Sequence, residues 1–172
     1  MIRNRRIFLK RLAALVVIAV AMLAAMASCV GGDEPVYSRF VTVDPKGWDN
    51  SEYCVFRMSD ADSSVLADVA ARYDIILTVR HNTDYPYNNL WILFEKAVSP
   101  DSVVSAKVNL TLANTSGSWR GHGMQGLYEF SDTVMHAVPL SSADVLSVRH
   151  DMPVASVPGI LDIGVAAVPV DR

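Results

Sequence analysis

Four histidines, His81, His122, His136 and His150, are the first residues to weigh for chemistry. No two of them stand four residues apart on a helical stretch, and none has a cysteine beside it, so the spacing of a zinc site is missing. No metal is expected. Ser141, His150 and Asp151 supply the residue types of a hydrolytic triad, but no serine lies in the strand-to-helix turn that exposes a nucleophile. The stretch "GSWRGHG" (residues 117–123) is glycine-rich like a phosphate loop. It lacks the closing Lys-Ser/Thr and the strand-loop-helix setting that aims backbone N–H groups at a phosphate. The expectation is a hairpin turn with Trp119 tucked against the core, no catalytic residue and no enzymatic activity.

Cys29 does carry predicted chemistry. Arg3, Arg5, Arg6, Lys10 and Arg11 make a basic start, and residues 12–27 are uncharged and apolar. An apolar stretch that short suits the core of an export signal better than a bilayer span. Met26-Ala27-Ser28-Cys29 resembles a bacterial lipobox, with Met26 where leucine is usual. The resemblance implies that Cys29 receives diacylglycerol and an N-acyl chain and becomes the mature N-terminus. The expected organisation is a signal peptide over residues 1–28, a lipidated cysteine and tether over 29–38, and one domain over 39–172. Beyond the lipid on Cys29 no cofactor is expected. Two acyl chains already suffice for stable membrane anchoring. The expected location is the cell envelope, anchored by lipid to the outer membrane, with the side left open. Asp33 and Glu34 resemble a surface-export signal.

Cleavage before Cys29 removes five of the 15 basic residues and none of the 18 acidic ones, leaving a net charge of −8. That balance disfavours nucleic acid as a partner, because phosphate binding needs a basic surface. With Cys29 acylated, Cys54 has no disulfide partner, and its strand-like setting marks it as a small buried hydrophobe.

The mature chain reads as strands. Residues 40–43, 53–58, 73–82, 90–94, 103–113, 127–130, 133–138, 145–150 and 160–168 are apolar, β-branched or alternating. Tyr73, Ile75, Leu77 and Val79 share one face of the third run. Residues 90–94 form a continuous apolar run, as in a strand buried on both faces. Residues 63–71 and 141–146 are candidates for short helical turns, the second capped by Ser141 or Ser142. The expected class is all-β, a two-layer antiparallel β-sandwich of jelly-roll type.

Between the third and fourth runs lies "TDYPYNN" (residues 83–89). Tyr85 and Tyr87 can stack a sugar or a peptide, since tyrosine offers a flat face with a polar tip. The simpler reading has both rings closing the edge of the sandwich, with Asn88 and Asn89 bonding the local backbone. Arg80, beside this connector, suits a carboxylate or carbonyl within the fold. Trp119, Trp48 and Trp91 fit the core or its rim. Asp101-Ser102-Val103 and Asp132-Thr133-Val134 resemble bacterial O-glycosylation acceptors.

Three blocks resemble the gliding-motility lipoprotein family GldH. The first is "YDIILTVRHNTDYPYNNLWILFE", with Arg80, Asn82, Tyr85, Pro86, Tyr87, Asn89 and Leu90 in order. The second is "LANTSGSWRGHGMQGLYEF", with Gly117, Trp119, Gly121 and Gly123. The third is "GILDIGV", with Gly159, Ile160, Asp162 and Gly164. "VRHDMPVASVPGI" departs from the family's Met-Arg order, and His122 departs at its position. The resemblance implies a non-enzymatic envelope lipoprotein that acts in gliding motility and the associated secretion machinery, with other envelope proteins as partners. Arg80, Tyr85, Tyr87, Asn89 and Trp119 are the candidate contact residues. The alternative is a surface carbohydrate-binding module using Tyr85, Tyr87 and Trp119. Rings lying outward on one plane would favour it, and rings buried in the sandwich would favour the assembly role.

Overall fold

The alternating runs pair into eleven strands in a computed structural model that describes residues 34–61, 66, 70–99 and 102–170. Cys29, the signal segment, Asp101 and most of the predicted helical stretch 63–71 lie outside the described residues. Five strands, β1 (Tyr37–Thr42), β4 (Tyr73–Asn82), β7 (His122–Met124), β8 (Leu127–Val138) and β11 (Ile160–Pro169), form one sheet in the order β1-β11-β4-β8-β7. Four more, β3 (Cys54–Arg57), β5 (Asn89–Ser99), β6 (Ser102–Thr111) and β9 (Val145–His150), form the second in the order β3-β9-β5-β6. A small ribbon of β2 (Trp48–Asp49) and β10 (Ser156–Val157) completes the set. All pairings are antiparallel. Apart from β7 and the small ribbon, the chain crosses between the two sheets at every step except β5 to β6, the connectivity of a jelly roll, the expected class.

The period of two decides what is buried. Tyr73, Ile75, Leu77 and Val79 of β4 face the core, as do Ile163, Val165 and Ala167 of β11. Leu90, Ile92 and Phe94 of β5 meet them from the second sheet, with Leu110, Leu146, Val148 and Phe56. Cys54 is buried here, and burial pushes its thiol pKa up to about 12.

Three expectations need correction. β5 is buried on one face only: Trp91 is 40% exposed between buried Leu90 and Ile92. The run lacks polar residues because Trp91 and Leu93 point outward, and no second layer covers them among the described residues. Residues 127–130 and 133–138 are one strand, β8. Residues 141–146 are not helical. Ser141 and Asp144 close a turn, with the Ser141 N–H donating to Asp144 Oδ2 at 3.1 Å and the Asp144 N–H to Ser141 O at 3.1 Å. β9 starts directly after it.

The turn also fixes a buried ion pair. Lys96 follows Phe94 on the inner face of β5, and its Nζ lies 2.8 Å from Asp144 Oδ2. Their side chains are 9% and 3% exposed.

Candidate functional site

The three sequence blocks converge on one end of the sandwich. β1 starts at Tyr37 opposite Ala167 and ends at Thr42 opposite Asp162, so the third block lies at the end of the domain remote from Tyr37. Ile160 pairs with His81 and Asn82 with Leu127, which brings β4, β8 and β11 together there. The β4–β5 connector closes through Asn82. Its Oδ1 accepts the Asp84 N–H at 2.9 Å and its Nδ2 donates to Asp84 Oδ2 at 3.0 Å. The Asn82 N–H donates to Gly159 O at 2.9 Å, tying the first block to the third. Asn88 O accepts the N–H groups of Leu112 and Ala113 at 2.8 and 2.9 Å, tying the first to the second.

The glycines permit this closeness. Gly159 has φ +82°, and a Cβ there would stand 2.3 Å from Tyr85 N. Gly121 also has φ +82°, and its Cβ would stand 2.1 Å from Glu129 O. Gly123 lies against the Tyr128 ring. Met124 and Leu127 are joined by a two-residue turn, Gln125 and Gly126, both at positive φ, as type I′ hairpins require.

The contact residues are placed as follows. Tyr85 is buried, its hydroxyl donating to Asn89 O at 2.8 Å, and Tyr87 is half-buried edge-on to it at 5.7 Å. Tyr85 is therefore not a contact surface, which corrects that expectation. Asn89 and Asn88 do not close the connector with their side chains: Asn89 Nδ2 donates across the sheet to Asn109 Oδ1 at 2.7 Å. Trp119 is half-buried at 4.5 Å from the His81 ring in an edge-to-face contact. His81 also stacks on Tyr128 at 5.4 Å. Trp48 is fully buried in the core, and Trp91 lies on the outside of the second sheet.

Arg80 faces outward from the five-stranded sheet and is half-exposed rather than buried. It bonds Glu129 Oε2 at 2.7 Å through Nε and lies 4.0 Å from Asp162 Oδ2. Its guanidinium sits 3.9 Å from the centroid of the Phe40 ring. That ring lies over Gly164, where a Cβ would come within 2.4 Å of it. Asp162 Oδ1 accepts from Thr42 Oγ1 at 2.7 Å. Arg80, Glu129 and Asp162, with His81, His122 and the exposed Met124 and Leu127, line an open hollow of about 560 Å³. Its two carboxylates, Glu129 and Asp162, are engaged by Arg80 and Thr42.

The triad residues are separated. Ser141 precedes β9 and His150 ends it, a span of about 20 Å at strand rise. His150 is buried and bonds Trp48 O at 3.0 Å, and Asp151 pairs with Lys107 and Arg149. Among the described residues no cluster of three His, Cys, Asp or Glu could hold a metal. In the second glycosylation-like motif, Asp132 Oδ1 accepts the Thr133 N–H within β8.

Two predictions arise from the buried polar groups. Burial holds His81 and His150 below the ordinary histidine pKa. The Nδ1 of His81 faces Asn82 O at 3.1 Å, and its Nε2 has no partner. Both rings are neutral in the fold, while the unfolded chain takes up protons near pH 6.5. Stability is therefore complete above that pH and falls as pH drops through it, until the folded-state pKa values are reached. The slope is up to about 1.4 kcal/mol per pH unit for each ring. Urea unfolding midpoints from pH 7.5 to 5 measure it. Tyr85→Phe removes one buried hydrogen bond and is expected to cost about 0.5–1.5 kcal/mol without changing the fold, read as a thermal shift.

Sequence reading missed the Lys96–Asp144 pair and the Arg80–Phe40–Gly164 stack. Lys96 on the buried parity of β5 was the available signal for the first. The second depends on the register of β1 against β11.

Comparison with known proteins places these features in a family. The family model described as GldH lipoprotein matches residues 35–167. A protein of Christiangramia forsetii (strain DSM 17595 / CGMCC 1.15422 / KT0803), "Gliding motility lipoprotein GldH homolog", is 24% identical over 94 residues, covering 55% of this chain and 53% of that protein. The chain thus spans about half the length of that relative. Among solved structures, a chain of turnip yellow mosaic virus aligns at TM-score 0.34 and 12% identity, over 84% of this chain and 87% of that one. The Yersinia pseudotuberculosis-derived mitogen aligns at TM-score 0.31 and 8% identity, over 81% and 90%. The match over residues 35–167 spans most of the sandwich and all three sequence blocks, and the chain belongs to the GldH lipoprotein family.

Proposed function

We propose that this chain is a non-enzymatic lipoprotein, anchored through acylated Cys29 to the outer membrane, that serves as a structural part of a gliding-motility and protein-secretion assembly. The observation that carries the reading is the interlocked end of the sandwich. The three blocks bond one another: Tyr85 to Asn89 within the first, Asn82 to Gly159 of the third, and Asn88 to Leu112 and Ala113 of the second. Within the described domain, β1 begins at Tyr37, at the end opposite the interlocked one. Partners would be other envelope proteins, meeting outward-facing Arg80 and the exposed part of half-buried Trp119. The carbohydrate reading loses its main stacking face, because Tyr85 is buried.

Deletion of the gene in its native host, with complementation, tests this. Surface spreading or export of secreted cargo should fall on deletion, return with the full chain, and stay low with Cys29→Ala. Unchanged spreading and export after deletion would overturn the proposal.

A further inference from the structure

An edge strand leaves half of its backbone N–H and C=O groups facing outward, a template for another strand. Three edges of the two large sheets are blunted. β7 has three residues and β3 four. β1 has six, with Arg39 among them and Pro35 just ahead. Beyond β7, β8 is itself an edge, but Asp132 and His136 lie along it, Ala137 has φ 49°, and its pairing with β4 is irregular.

β6 is the longest of the four terminal strands, and its protection is confined to its start, where Pro100 and Asp101 precede Ser102 in sequence and the pairing with β5 shifts register between Ala97 and Ser99. It is ten residues long and ends the four-stranded sheet, and no described residue pairs with its outer edge. It contains no proline or glycine and none of the chain's 18 acidic residues. Its one charge, Lys107, is paired with Asp151 of its own chain. Val103 and Val104, on opposite faces, are 54% and 52% exposed.

We propose that β6 pairs antiparallel with β6 of a second copy of this chain, about a two-fold axis at Val104 or Ser105, joining two four-stranded sheets into one of eight. The strand complements itself at this point. An axis at Ser105 sets Lys107 opposite Val103 and Val104 opposite Ala106. An axis at Val104 sets the two Val104 side chains against each other. An axis at Lys107 would oppose two lysines, which is unfavourable. The net negative charge of the mature chain repels copies elsewhere, whereas this strand offers no acidic group to another copy. Attachment of both copies to one membrane would raise their effective concentration, but the pairing itself does not require the anchor.

Cysteine scanning in the full chain, in native membranes, tests the pairing. Single variants Val104→Cys, Ser105→Cys, Lys107→Cys and Asn109→Cys are oxidised and resolved on non-reducing gels, with the parent chain as control. Each step away from the axis separates the two thiols by about 7 Å more, twice the strand rise. Disulfide-linked dimer is therefore expected at 104 or 105 and at parent level by 109. Val103→Lys, which lies opposite Ala97 on the exposed face, combined with Ser105→Cys should abolish the dimer while leaving the melting temperature of the chain unchanged. No dimer at any position, equal yield at all four, survival of the dimer in the lysine variant, or linkage of position 104 or 105 to a different protein would each overturn the proposal.

Discussion

Asp144→Ala is expected to destabilise the sandwich by about 3–5 kcal/mol, the usual cost of leaving one partner of a buried ion pair alone. Lys96 sits on the core side of β5, opposite Leu146 and Val104, and its charge is met by Asp144 Oδ2 at 2.8 Å. Removing that carboxylate leaves an ammonium group in apolar surroundings. It also removes the acceptor for the Ser141 N–H, so the turn into β9 loosens. Replacing the pair with neutral groups of similar shape avoids the uncompensated charge. Lys96→Met with Asp144→Asn should therefore recover most of the loss, since asparagine keeps an acceptor for Ser141. Urea unfolding of the three proteins measures both effects. A single variant within 1 kcal/mol of the parent would show that the pair is solvated.

The second large effect is expected at Gly159. Gly159→Ala places a Cβ 2.3 Å from Tyr85 N and 2.8 Å from the Asp84 carbonyl carbon, at φ +82°. Backbone cannot give way as a flexible side chain can, so the connector must move off β11. Strain at a left-handed position and overpacking each cost about 1–3 kcal/mol, so a loss of roughly 2–6 kcal/mol is expected. Gly117 is the internal comparison. Its φ is +83°, but nothing lies within 4 Å of an added Cβ. Gly117→Ala should therefore cost only the conformational part, about 1 kcal/mol. Equal losses in the two variants would mean that the contact between Gly159 and the connector does not hold the end together.

Gly159 also shows what the sequence could and could not reveal. Strand class and most strand positions were legible because inward and outward residues alternate: β4 runs over residues 73–82 as its pattern predicts. The pattern failed where outward residues are also apolar. Trp91 made β5 look buried on both faces, although it is exposed. The Ser141 segment looked helical because capping residues serve turns as well as helices. The connector residues could be singled out from the sequence, but their bonding partners could not. Tyr85 and Asn89 satisfy each other, and the side chain that closes the connector is Asn82. Such partners lie on different strands, and single-sequence spacing does not report their register. The Arg80 stack on Phe40 needs β1, β11 and β4 in register, with Gly164 leaving room for the ring.

The most direct measurement of the central claim is crosslinking of the tagged full chain in its native cells, followed by mass spectrometry of what is captured, with Cys29→Ala as control. The account predicts that motility or secretion proteins are captured by the parent and lost in the control. Retention of glycan with no captured protein would contradict it.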